Sequence, residues 1–164
     1  MFAEGFIWGV DVALSRLAIA CASLASERVD VERLVTRTDA TEGERRGLLD
    51  RRIRFHVRAL ACRFPPAVVW VEQPSGRFRA LQLTYATGVV QAAMFEALEV
   101  PVFTVPSSAW KRRTVGVGNA TKPQVAAWVD RLGVDVASQD EADAVAIAVA
   151  GRAMVRAGSW EVAA

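Results

Sequence analysis

The 164-residue chain contains one histidine, His56, and two cysteines, Cys21 and Cys62. A single imidazole in an arginine-rich stretch argues against a Ser-His-Asp relay and against a His-rich zinc site. The cysteines form no C-x-x-C pair, which predicts two buried thiols in a reduced, cytoplasmic setting. No apolar run reaches the ~20 residues of a membrane span. The opening "MFAEGFIWGVDV" has no basic segment ahead of an apolar one, so no signal peptide is expected. No G-x-x-x-x-G-K-[ST] phosphate loop occurs. Lysine is nearly absent, with Lys111 and Lys122 standing against 18 arginines. Any chemistry therefore falls to carboxylates and to these two lysines, each a compact point charge of a kind arginine cannot supply.

What is present fits one soluble globular domain spanning residues 1–164, with 52% hydrophobic and 23% charged residues. The net charge of +2 is unevenly spread. Nine arginines face two acids, Asp50 and Glu72, between Arg45 and Arg79, and "WKRR" at 110–113 forms a second basic cluster. These clusters suit a polyanionic partner, the alternative being a solvated helix face.

Three β-forming stretches, Phe6–Leu14, Arg16–Leu24 and Val29–Arg37, open the chain. The period then changes. Leu49, Ile53, Val57, Leu60 and Phe64 recur at helical spacing, with Thr41 and Glu44 as a capping box and Pro65–Pro66 as the stop. Ala67–Gly76 reads as a central strand covered on both faces. Phe78–Leu98 reads as a helix with Leu81, Tyr85, Val89 and Ala92 on one stripe, and 100–106 as a fifth strand. A short helix follows, capped by Ser107 or Ser108, then a glycine-bearing loop, then a helix from Thr121 to Gly133. A last helix starts at Ser138. The principal order β-β-β-α-β-α-β-α-α predicts an α/β fold, a five-stranded mixed sheet with helices on both faces.

Four carboxylates stand out. Asp11 sits within an apolar strand, where a buried aspartate needs a partner, local backbone being the simplest. Glu72 closes the central strand. Asp140, Glu141 and Asp143 crowd the mouth of the last helix. Glu141 completes a capping box with Ser138, and first-turn acids suit the helix dipole. Asp143 lies three residues from Asp140, on the same face, and precedes the small-residue run "AVAIAVA". No basic residue lies near these acids in sequence to neutralise them. Clustered carboxylates demand a counter-ion, and hard oxygen donors select Mg²⁺ or Mn²⁺.

"GVDVALSR", "VVWVEQP", "TVGVGNATKPQV" and "DEADAVAIAVAG" together resemble, in order and spacing, the RuvC family of Holliday junction resolvases, of the RNase H-like (retroviral integrase-like) fold. The resemblance runs nearly end to end. It implies that Asp11, Glu72, Asp140 and Asp143 bind two Mg²⁺ ions per active site, that Lys122 lies near the scissile phosphate and that Lys111 helps bind DNA. Arg77, Phe78, Arg79, Arg112 and Arg113 join the implied DNA-binding set. Two segments depart from the family pattern. Val12–Ala13 replaces the usual Pro-Gly after the first aspartate, a stretch that is equally similar to YqgF-type relatives. The aromatic wedge expected soon after Glu72 is represented by Phe78 in a shifted register.

By this resemblance the chain is expected to be a metal-dependent endonuclease that nicks four-way junctions symmetrically in recombination and repair. It would act as a homodimer through the 78–98 helix, in a bacterial or phage-infected cell, with or without a branch-migration helicase. The alternatives are a broader flap or fork nuclease of the same fold, a non-catalytic junction-binding protein, and an ATPase of the related actin-like fold.

Overall fold

The computed structural model describes residues 5–35, 42–74 and 80–158. Strands β1 (Phe6–Val12), β2 (Arg16–Ser23) and β3 (Val29–Val35) form an antiparallel meander. Helix α1 (Glu42–Ala61) then crosses to β4 (Pro66–Glu72), which lies parallel to β1, and α2 (Ala80–Leu98) leads to β5 (Val102–Val105), parallel to β4. Helices α3 (Ser107–Thr114), α4 (Lys122–Arg131) and α5 (Gln139–Arg156) complete the described chain. The sheet order is β3-β2-β1-β4-β5. This is the mixed five-stranded sheet expected, with α3 a two-turn helix that brings the elements to ten.

Alternation along the strands divides the core into two layers. On one face, Ile53, Val57, Leu60 and Phe64 pack with Trp8, Val10, Ile19, Val69 and Val71 under α1 and α2. The Trp8 indole N–H donates to the Phe64 carbonyl at 2.9 Å, so the one polar atom of a buried ring is satisfied. On the other face, α5 lies against β1 and β2 with an almost wholly small-residue surface. A Cβ on Gly9 would stand 2.3 Å from the Ala144 carbonyl oxygen and from the Ala148 nitrogen, so helix and strand backbones approach directly. Gly151 makes the same concession to Trp70 and Ile7, at 2.8 and 2.9 Å. The Ala/Gly run is thus what lets a carboxylate at the start of α5 reach the end of β1.

Several local expectations change. Cys62 is exposed rather than buried, while Cys21 is buried and neither is disulfide-bonded. Helix α1 ends at Ala61 in a turn over residues 62–64, ahead of the proline pair, and Pro66 instead opens β4. The N-cap of α3 is Pro106, with no side-chain cap bond from either serine. Thr121 does cap α4, and the Gln124 side-chain oxygen accepts its N–H at 2.8 Å. The Thr41–Glu44 cap and the Leu49 side chain lie outside the described residues. No described helix is long and apolar enough to cross a membrane.

Candidate functional site

Glu72 ends β4 and Asp11 is the last residue but one of the neighbouring parallel strand β1, each one residue beyond the Val10–Val71 pair. Both point to the α5 face, in phase with Ile7 on β1 and Trp70 on β4. Asp11 is only 9% exposed. Burial pushes its carboxyl up to about 8, and the charges of Glu72, Asp143 and Asp140 push in the same direction. Glu72 is raised by burial and by Asp143, while hydrogen bonds from Asp11 and Trp110 and the charge of Lys111 oppose the rise. The two carboxyls share a hydrogen bond that raises Asp11 and lowers Glu72, so Asp11 holds the proton.

Helix α5 supplies the other two acids. Ser138 caps it, accepting the Glu141 N–H at 3.3 Å. The Glu141 carboxylate accepts from the Ala137 N–H at 2.6 Å, one residue ahead of the cap, and its other oxygen is 3.8 Å from Arg33. Glu141 is thus a structural cap. Asp143 is raised by burial, with Gln139, Lys111 and Lys122 pulling it back and Asp140 adding to the rise. The Gln139 amide donates to Asp143 at 2.8 Å.

The structure therefore brings Asp11, Glu72, Asp140 and Asp143 to one end of the sheet, with Lys111 and Lys122 close enough to act on Asp143. Gly118 helps join the lysines: an added Cβ would lie 3.0 Å from the Ser108 carbonyl oxygen and 3.3 Å from Arg112, so the loop between α3 and α4 can rest on α3. Arg112 and Arg113 are exposed on α3. Arg77, Phe78 and Arg79 lie outside the described residues.

One expectation needs correction. The carboxylates do have a basic neighbour: Arg16 at the start of β2 forms an ion pair with Asp140. It lies five residues beyond Asp11, but the pairing spans the fold and shows only when α5 meets the β1–β2 hairpin. Sequence reasoning also missed Trp110. This buried ring donates its N–H to Glu72 at 3.3 Å and carries the Lys111 ammonium 5.3 Å from its centroid. Its position just before Lys111 was the only signal. Gln139 was missed as well, standing four residues before Asp143 where a helix makes them neighbours.

The donor chemistry suits a hard divalent cation. All four groups are carboxylates, Asp11 and Glu72 share a proton, and Asp11 is buried while the other three are half-buried. Among the described residues, no three Asp, Glu, His or Cys side chains are gathered closely enough to close round a metal as they stand. Asp140 is engaged by Arg16, Asp143 by Gln139, and Asp11 and Glu72 by each other.

The family model for crossover junction endodeoxyribonuclease RuvC matches residues 7–151. RuvC from Thermus thermophilus is 29% identical in sequence, with a TM-score of 0.75 over 94% of this chain and 97% of that one. The same protein in complex with a Holliday junction substrate is 28% identical, with a TM-score of 0.76 over 95% and 98% of the two chains. The yeast mitochondrial Holliday junction resolvase Ydc2 shares the fold at 14% identity, with a TM-score of 0.62 over 93% and 81%. No curated protein matches the chain.

Proposed function

The chain belongs to the crossover junction endodeoxyribonuclease RuvC family, and from that premise we propose that it resolves four-way junctions by paired symmetric nicks at the Asp11–Glu72–Asp140–Asp143 site. The observation that carries this reading is the convergence of four carboxylates, two of them sharing a proton, on the end of β1 and β4.

RuvC-type nucleases are metal-dependent. Two Mg²⁺ ions, or Mn²⁺ in their place, would be held by these four side chains and would supply an activated water and a stabilised leaving oxygen. The chain's own groups do the rest. Burial of Asp11 and partial burial of the other three lower the local dielectric, which strengthens their hold on a cation. Trp110 and Gln139 fix two of them in orientation. Lys122 sits at the exposed start of α4 on the Asp143 side, placed to meet developing negative charge on a phosphate. Lys111, Arg112 and Arg113 line α3 beside it as phosphate contacts, which position DNA without reading bases. Arg77, Phe78 and Arg79 complete the DNA-binding set proposed here.

A homodimer is part of this reading. Leu81, Tyr85 and Phe95 are 68%, 55% and 58% exposed on one face of α2, whose buried side carries Val90, Ala93 and Met94. A second copy of this helix is the occupant we propose for that face. The cytoplasm, where thiols such as Cys62 stay reduced, is the proposed location.

The test is cleavage of end-labelled four-way junctions, flaps, forks and duplex, with Mg²⁺ and with EDTA. Paired nicks at symmetric positions in junctions alone support the reading. Equal cutting of flaps and forks replaces the substrate, and tight binding without cutting removes the nuclease.

A further inference from the structure

The arginines in and just past α1 have no role in the site just described, and those whose side chains are described divide into two groups. Arg54 is bonded to Asp50 at 2.9 Å and to Glu96, and Arg63, just past the helix, is 2.9 Å from Glu32. Arg51, Arg52 and Arg58 are exposed and have no acidic partner among the described residues. Arg51, Phe55 and Arg58 stand at i, i+4 and i+7, one stripe on the side opposite the buried Ile53, Val57 and Leu60. At the centre of the stripe Phe55 is 79% exposed. A groove beside it is lined by Leu34, Val35, Arg51, Arg52, Phe55 and His56.

Its location decides what the groove can serve. Asp11, Ala18 and Arg33 lie in one row across β1, β2 and β3. Val35 is two residues further toward the site end of the sheet and pairs with Arg16, the residue that holds Asp140. The groove therefore begins at the β3 edge next to the carboxylate site and continues onto the other face of the sheet. A partner that leaves the site across this edge next meets three exposed guanidinium groups with no acidic partner among the described residues, and a flat apolar ring. Guanidinium groups match phosphates in geometry, and an exposed ring among them suits a sugar or an unpaired base.

We propose that the solvent face of α1 is a second nucleic-acid surface, which holds the phosphodiester backbone of a substrate arm as it passes the β3 edge. Arg51, Arg52 and Arg58 contact phosphates there without reading sequence. The proposal rests on the branched-DNA reading above and adds to it a dependence on arm length.

The experiment compares wild type with Arg51→Ala/Arg58→Ala, and with the charge-preserving Arg51→Lys/Arg58→Lys pair, on junctions with long and with truncated arms. Affinity is measured in Ca²⁺ across a salt series, and cleavage in Mg²⁺ at saturating DNA. The alanine pair is expected to bind long-armed junctions about ten-fold more weakly, with a salt slope flatter by about 1.8, since each lost phosphate contact removes about 0.9. The lysine pair restores most of the slope, truncated arms erase the difference, and cleavage at saturation is unchanged. An unchanged slope on long arms overturns the proposal and leaves the stripe for a protein partner. A loss equal on short and long arms overturns it too, because the arginines then act at the crossing. Should the wild type prefer flaps or forks, the junction reading falls alone, and the slope on that substrate still decides the role of α1.

Discussion

Helix α5 carries a charged cluster at each end. Near its C-terminus Arg152, 4% exposed, reaches the Ser26 carbonyl at 3.1 Å and Glu27 at 2.6 Å, and Arg156 joins the same carboxylate at 2.6 Å. Burial presses the Arg152 guanidinium toward its neutral form and Glu27 holds it charged. Near the N-terminus Asp140 and Asp143 meet Asp11 and Glu72, and the partners on hand are Arg16, which is half exposed, and two lysines at the rim. In the first cluster the buried guanidinium is matched by the exposed Glu27 carboxylate and by a backbone carbonyl, so its charge is neutralised. The other keeps an excess of negative charge in a buried place, at a cost to stability that a purely structural cluster would have no reason to carry. This asymmetry sets a brace at one end of the helix against the proposed site at the other.

The largest expected effect comes from removing one charge at the site end. Asp143→Asn keeps the shape and the Gln139 contact region but takes away one charge of the proposed metal site. Cleavage in Mg²⁺ should fall on the order of 10³-fold or more, while junction affinity in Ca²⁺ stays within a few-fold. Retained cleavage would mean that Asp143 is no more a site residue than Glu141. At the brace end the opposite pattern is expected. Arg152→Ala removes the buried guanidinium that donates to the Ser26 carbonyl and to Glu27, leaving Arg156 as the donor to both, at a cost of about 1.5–3 kcal/mol in urea denaturation for the lost charged hydrogen bonds, with the cleavage rate unchanged at a temperature where the variant is folded. A variant that loses activity but not stability would erase the distinction.

Proton linkage sharpens the contrast. Asp11 binds its proton more tightly in the folded chain, at about 8, than in the unfolded one, near 3.8. Its contribution is therefore full below about 4 and is lost as pH rises toward 8, at a slope approaching ~1.4 kcal/mol per unit for one proton. Chemical denaturation in EDTA from pH 5 to 8 should show stability falling, with Asp11→Asn flattening the fall and Mn²⁺ opposing it in the wild type. Stability that does not decline in EDTA would show that the site end carries no electrostatic strain.

Much of this was legible in the residues. The strands followed from β-forming runs and α5 from its small-residue stripe; Asp11, Glu72 and Asp143 stood out against apolar neighbours, Asp140 by its helical spacing to Asp143, and the family resemblance joined the four as one set. What was hidden depends on contacts between distant segments. Arg16 is near Asp11 in the chain, yet its partner is Asp140, 124 positions away. Helix α2 is apolar on two sides, so hydropathy alone could not say that the Leu81–Tyr85 stripe faces outward and Val90–Met94 inward. Cys62 was read as a core thiol for want of a C-x-x-C partner, but it sits in the turn just past α1 and is exposed.

The smallest effect tests whether the site end is held in place from the side. Trp110→Phe keeps a ring beneath Lys111 and most of the buried volume, but removes the N–H that reaches Glu72 at 3.3 Å. A bond of that length contributes modestly, and groups that orient metal ligands commonly change metal affinity by 10-fold or more when lost. The Mn²⁺ concentration giving half of the metal-induced rise in Tm, measured without DNA, should therefore increase about three- to ten-fold. Junction affinity in EDTA should not move, because no phosphate contact is lost. A lower Tm with an unchanged metal midpoint would reduce Trp110 to a space-filling role and leave Lys111 alone as the link between α3 and the carboxylates.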